Sequence, residues 1–185
     1  MRESDPPCVA GALACGLREV LADVVGRDLI ESALTCATPE VKLAWRAATP
    51  IGWVPINVLE SVFGEVARLV ERDIADLHTE VARISIERTM RTLWRLLLRF
   101  TTDQALVSRT PVIYGKSYNR GRLEANIPTN GHADIRLLDW PAAPEWPLRA
   151  TKIGIETVLR IAGRQDVRII YARTPDGAQY TATWK

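Results

Sequence analysis

Apolar positions recur at helical spacing through the first hundred residues and give way to alternation beyond residue 120. Leu17, Val20, Leu21, Val24 and Val25 share one helical face that Gly26 closes, and Leu29 to Cys36 continues the pattern. Val58, Leu59, Val62, Phe63, Val66, Leu69 and Val70 form a broad apolar face, and Ile74, Leu77, Val81 and Ile84 a narrower one. A third face carries Ile86, Met90, Leu93, Leu97 and Phe100; with no strong breaker before it, the second and third stretches also read as one long bent helix. Between these groups, Thr38 to Pro55 holds three Pro, one Gly and two Trp, which predicts an irregular connection with Trp45 and Trp53 as core plugs.

Thr101-Thr102-Asp103 predicts a helix start leading into Gln104 to Val107. Pro111 to Tyr118 fits a short helix or an extended passage, and Gly121 ends it. Leu123, Ala125 and Ile127 then alternate with polar residues, as do Ala133, Ile135 and Leu137, around an Asn130-Gly131 turn. That is a hairpin signature, because both turn residues tolerate positive φ. Pro141, Pro144 and Pro147, with Trp140 and Trp146, predict a stiff strap over Asp139 to Pro147. A helix follows from about Leu148 to Ala162, with Gly163 as its stop and Gly154 suggesting close backbone packing. Val167 to Tyr171 and Tyr180 to Trp184, joined through Pro175-Asp176-Gly177, predict a second hairpin.

The fold class these elements predict is α+β: an N-terminal helical layer packed on a four-stranded antiparallel sheet made of two hairpins separated by a helix. Residues 1–9, with Pro6-Pro7, read as a flexible leader, and residues 10–185 as a single domain.

Composition narrows the function. Hydrophobic residues at 47% and charged residues at 25% are globular proportions, and 185 residues suffice for one core without staples. A formal net charge of +2 sets up no field that gathers nucleic acid or anionic lipid, so any basic site must be local. No apolar run reaches the ~20 residues of a membrane span. Mixed charge in the first residues and a Gly-interrupted apolar run argue against a signal peptide. Cys8, Cys15 and Cys36 are odd in number and lack metal-ligand spacing, so they read as reduced thiols of a cytoplasmic protein.

Catalytic chemistry finds little purchase. His78 and His132 are far apart in sequence, there is no Gly-x-Ser-x-Gly elbow, and neither a Walker A nor a Gly-x-Gly-x-x-Gly pattern occurs. No catalytic or metal-ligating residues are assigned. The candidate ligand- or partner-binding residues are Arg109, Tyr114, Lys116, Tyr118, Arg120, Arg122 and His132, since Tyr and Arg together are hot-spot chemistry. The alternative is that Tyr114 and Tyr118, four apart, pack inward and leave the cations solvated. Arg88, Arg91, Arg95 and Arg99 form a basic helix stripe suited to phosphates or an acidic partner, or else a solvated face answered by nearby carboxylates.

The order of elements, together with TPVIYGKSYNRG, the DWP after the first hairpin, the AGR closing the last helix and the strands around DGAQY, resembles a paralogous family expanded in myxobacteria. That family is similar in layout to the haem nitric-oxide-binding and 4-vinyl reductase ligand-binding domains. The resemblance spans roughly residues 15 to 184. It implies a helical layer against an antiparallel sheet, with a pocket between them, and supplies no catalytic residues. Haem domains of this kind use a Tyr-x-Ser-x-Arg motif and a helical His. Here Tyr114, Ser117 and Arg120 are spaced differently, His132 is expected on a strand, and His78 is on a helix but has no supporting motif. The expectation is therefore no cofactor, with haem disfavoured. The leading functional reading is a non-enzymatic cytosolic binding or regulatory module for a protein partner or a small, partly apolar ligand, expected as a homodimer and not a nucleic-acid binder. The alternatives are a small-molecule sensor with haem or another cofactor, and an uncharacterised enzyme.

Overall fold

The computed structural model describes residues 6–90 and 101–185. The chain divides into two compact units, one of residues up to Ser85 together with Ser117–Asn119, the other of Ile86–Lys116 and Arg120–Lys185. Among the described residues it is α+β, with seven helices and two antiparallel sheets of two and four strands.

The first unit opens with β1 (Cys8–Ala10), which takes in the end of the stretch expected as leader and pairs with β2 (Trp53–Pro55). Between them run α1 (Gly11–Val25), α2 (Arg27–Cys36) and α3 (Pro39–Ala47). Gly26, at φ 89°, stops α1 and turns the chain straight into α2. The connection expected to be irregular is largely helix: Thr38 accepts a hydrogen bond from Val41 N at 3.4 Å, and Pro39 occupies the first turn, where its missing N–H costs nothing. Trp45 plugs the core as expected, but Trp53 is half-exposed on its short strand. Gly11 starts α1 hard against the β2 approach, its N–H donating to Gly52 O at 2.7 Å, and a Cβ there would collide with the Thr49 carbonyl.

α4 (Ile56–Leu69) and α5 (Ile74–Thr89) complete this unit as far as Ser85. The broad apolar face foreseen on α4 is its buried face: Val58, Leu59, Val62, Phe63 and Val66 are all but inaccessible. Each such side chain contributes about 1.5–3 kcal/mol by leaving water.

In the second unit, β3 (Arg122–Thr129), β4 (His132–Leu138), β5 (Arg168–Thr174) and β6 (Gly177–Thr183) are ordered β3-β4-β6-β5. Both predicted hairpins form, and the helix between them is α7 (Glu145–Ile161). Ala133, Ile135 and Leu137 on β4 and Ala178, Tyr180 and Ala182 on β6 are buried, so the period-two pattern marks the covered face. α7 packs on β5 and β6, and Tyr180 donates its hydroxyl to Leu148 O at 3.2 Å. The Pro-Trp strap is shorter than expected, because Pro147 falls in the first turn of α7 and is tolerated there. A Cβ on Gly154 would meet nothing within 4 Å, so this glycine does not mark a close approach.

The stretch Pro111 to Tyr118, left open between helix and strand, is the second half of α6 (Asp103–Ser117), which runs through Pro111. Its first turn is tied to two distant parts of the same unit. Arg164 donates from Nε and Nη2 to Asp103 Oδ1 at 2.8 and 2.6 Å, and from Nη2 to Thr101 O and Nη1 to Ala162 O at 2.7 Å each. Trp184 Nε1 donates to Asp103 Oδ2 at 3.0 Å.

Candidate functional site

The residues singled out between 109 and 132 are separated by their elements. Tyr118 belongs to the first unit and the other six to the second. On α6, Tyr114 turns inward and donates its hydroxyl to Arg120 O at 3.0 Å. Tyr118 is also buried, in a β-bridge with Val9, and burial pushes its phenol well above the ordinary value. Arg122 is exposed and ion-paired with Glu124 and, at 2.7 Å, with Asp139. His132 begins β4 with Nε2 3.3 Å from Asp134 Oδ1, at the opposite end of the hairpin from Arg122. Arg120 is half-buried, while Arg109 and Lys116 are exposed on α6. Of the basic stripe, Arg88 lies exposed on α5; Arg91, Arg95 and Arg99 lie outside the described residues.

A different place stands out once burial is known. The covered face of α5 carries Leu77, His78, Val81, Ala82 and Ser85, so two polar side chains interrupt an apolar stripe two turns apart. His78 is 0% exposed, with its ring edge-on to Phe63 of α4 at a centroid distance of 5.9 Å and 81° between planes. α1 closes on the same face of α5: a Cβ on Gly16 would stand 2.9 Å from Ser85 Oγ. α4 also meets α5 at Gly64, where a Cβ would lie 3.6 Å from Ile74 Cδ1. One turn before Phe63, Glu60 is half-buried and its carboxyl is pushed up by desolvation. The sequence signal was a histidine set between Leu77 and Val81 on an apolar face.

Among the described residues no three His, Cys, Asp or Glu side chains converge to hold a metal ion. A porphyrin-borne iron makes a smaller demand, since the macrocycle fills most of the coordination sphere and the protein adds an axial imidazole, thiolate, thioether or phenolate. The buried donors of those types include His78, Cys8, Cys15, Tyr114 and Tyr118. Tyr114 is committed to the Arg120 carbonyl, and the two thiols lie near Pro6 O and Ala48 O at 3.3 and 3.6 Å. His78 is a buried nitrogen donor on a helix, the donor type that a haem held through an imidazole requires.

No protein-family model matches the chain, and no curated protein sequence matches it either. Solved structures do. The Fe(II) unliganded H-NOX protein from K. algicida is similar at TM-score 0.70 and 12% identity, over 95% of this chain and 96% of that one. An H-NOX protein from S. oneidensis in the Fe(II)NO ligation state is similar at TM-score 0.71 and 12% identity, over 95% and 99%. A protein solved in work on modulating haem redox potential through protein-induced porphyrin distortion is similar at TM-score 0.66 and 14% identity, over 95% and 99%. The expectation of no cofactor, with haem disfavoured, is corrected by these likenesses: it rested on the spacing of a short motif, on His132 falling on a strand and on His78 lacking a supporting motif, whereas chains described with Fe(II), Fe(II)NO and haem share the layout over 95% of this chain. At these identities the likeness establishes the architecture, and this chain has the fold of the H-NOX domains.

Proposed function

We propose that this chain is a haem-holding sensor domain in which His78 would hold the iron. The observation that carries the reading is fold likeness over nearly the full length of both chains, joined to one imidazole wholly withdrawn from water on a helix. The alternative set out from the sequence is thereby preferred to a binding module without a cofactor. When bound, the iron would supply a coordination position for a small diatomic ligand such as the NO of the S. oneidensis neighbour.

The chain's own residues supply enclosure and orientation. Phe63 limits rotation of the His78 ring by standing across its edge. The Gly16–Ser85 approach holds α1 against the same face of α5 and keeps bulk water out. Among the described residues no helix is long and apolar enough to cross a membrane, and Cys8, Cys15 and Cys36 are free thiols, which supports a cytoplasmic setting.

The test is titration of the purified chain with haem, followed by absorption in the Soret region. Wild type is expected to bind one equivalent, and His78→Ala to lose the band or shift it while the far-ultraviolet circular dichroism stays unchanged. Failure of the folded wild-type chain to take up haem, or a band indifferent to His78→Ala, would overturn the assignment.

A further inference from the structure

The outward face of α6 has a composition that neither the fold nor the haem reading requires. Arg109, Val112, Ile113 and Lys116 sit at i, i+3, i+4 and i+7, so they form one stripe. Val112 is 59% exposed and Ile113 50%, among the more exposed large apolar side chains described. Arg109 and Lys116 bracket them, about 10 Å apart along the axis. Among the described residues neither cation forms an ion pair, although Arg46, Arg68, Arg72, Arg160 and Arg173 each have a carboxylate partner. Two unanswered cations flanking two exposed aliphatic side chains are complementary to a helix with the opposite pattern.

We infer that α6 is a docking surface for an acidic amphipathic helix of a partner protein, one with two apolar residues between carboxylates two turns apart. The apolar pair would supply the desolvated centre and Arg109 and Lys116 the charged rim, the usual division of labour in such contacts. This refines the surface expected from the sequence: both tyrosines of that stretch are withdrawn into the interior and Arg122 is occupied by Glu124 and Asp139, leaving the α6 stripe as the part able to receive a partner. It is independent of haem binding.

The experiment uses the full chain and two fluorescein-labelled helical peptides, one with Glu two turns apart around Leu-Leu and the other with Lys in place of Glu, read by fluorescence anisotropy. The Glu peptide is expected to bind wild type and to weaken as salt rises. Arg109→Glu with Lys116→Glu should weaken it about tenfold or more and transfer preference to the Lys peptide. Val112→Ser with Ile113→Ser should weaken both. Near-ultraviolet circular dichroism checks folding, and the single changes Arg109→Gln and Lys116→Gln, each lowering affinity, serve if the double reversal misfolds. Indifference of binding to charge reversal overturns the inference, as does no binding of the Glu peptide. So does co-sedimentation with vesicles of equal parts phosphatidylserine and phosphatidylcholine by a chain that ignores the peptide.

Discussion

Asp103 receives three side-chain N–H bonds, two from Arg164 and one from Trp184, and its replacement by Asn keeps the shape while removing the charge. The amide retains one oxygen for the guanidinium but turns an NH2 toward the Trp184 N–H, donor against donor. A charge-assisted pair of this kind contributes about 1.5–3 kcal/mol, and an indole N–H left without an acceptor costs about 1–3 kcal/mol. The Arg164 side chain is 14% exposed and Asp103 30%, so water repairs part of the loss and a net destabilisation of about 3 kcal/mol is expected. For a chain of this length that corresponds to a fall of roughly 6–12 °C in Tm. Urea unfolding and calorimetry measure it. A double-mutant cycle with Arg164→Met should return a coupling of about 2 kcal/mol, because the surviving carbonyl acceptors at Thr101 and Ala162 do not replace the carboxylate. A loss below about 0.5 kcal/mol for Asp103→Asn, or strict additivity in the cycle, would refute the argument that this knot anchors α6.

Gly11→Ala should cost about 3 kcal/mol in denaturant unfolding, since the new Cβ would meet backbone carbonyls of Thr49 and Gly52 that have little room to yield. Gly154→Ala, with open space around it in mid-helix, should instead stabilise by about 0.5–1 kcal/mol in the same assay. Alkaline pH should weaken the fold. Burial raises the phenol of Tyr118 from its ordinary value of 10.0, so the folded chain keeps a proton that the unfolded chain releases near that pH. The stabilisation is intact below pH 10.0 and falls by up to about 1.4 kcal/mol per pH unit above it; Tyr118→Phe should flatten that decline in pH-dependent melting curves.

Periodicity made most of the architecture legible. The α4 face and both hairpins could be read because a single physical pattern, one face wet and one dry, runs through each. What escaped was set by local exceptions. Pro39 and Pro147 read as breakers, yet both fall in first turns where a missing N–H is harmless. Pro111 lies well inside α6, where hydrophobic pattern gives no guide. At the candidate site, residue type alone drew attention to Tyr114 and Tyr118, which bury their rings, and set His78 aside for want of a supporting motif, although it is totally buried. Burial of one polar residue among apolar ones is a tertiary fact: the sequence offers the imidazole and only the packed helices withdraw it from water.

Ser117–Asn119 return to the first unit long after its helices have been laid down. Asn119 clasps the start of β1, accepting from Cys8 N at 2.6 Å and donating to Pro6 O at 3.1 Å, while Tyr118 bridges Val9. During synthesis at the usual pace, the residues after Ser85 take roughly 2–7 s to reach Asn119. For that interval the nascent helices can collapse through local contacts, but the backbone groups of β1 that await the clasp still face water. Closing so long a loop makes this one of the slower contacts of the unit to form. A ribosome stalled within α6 would therefore present a first unit whose opening strand is paired with β2 but lacks the Tyr118 and Asn119 contacts.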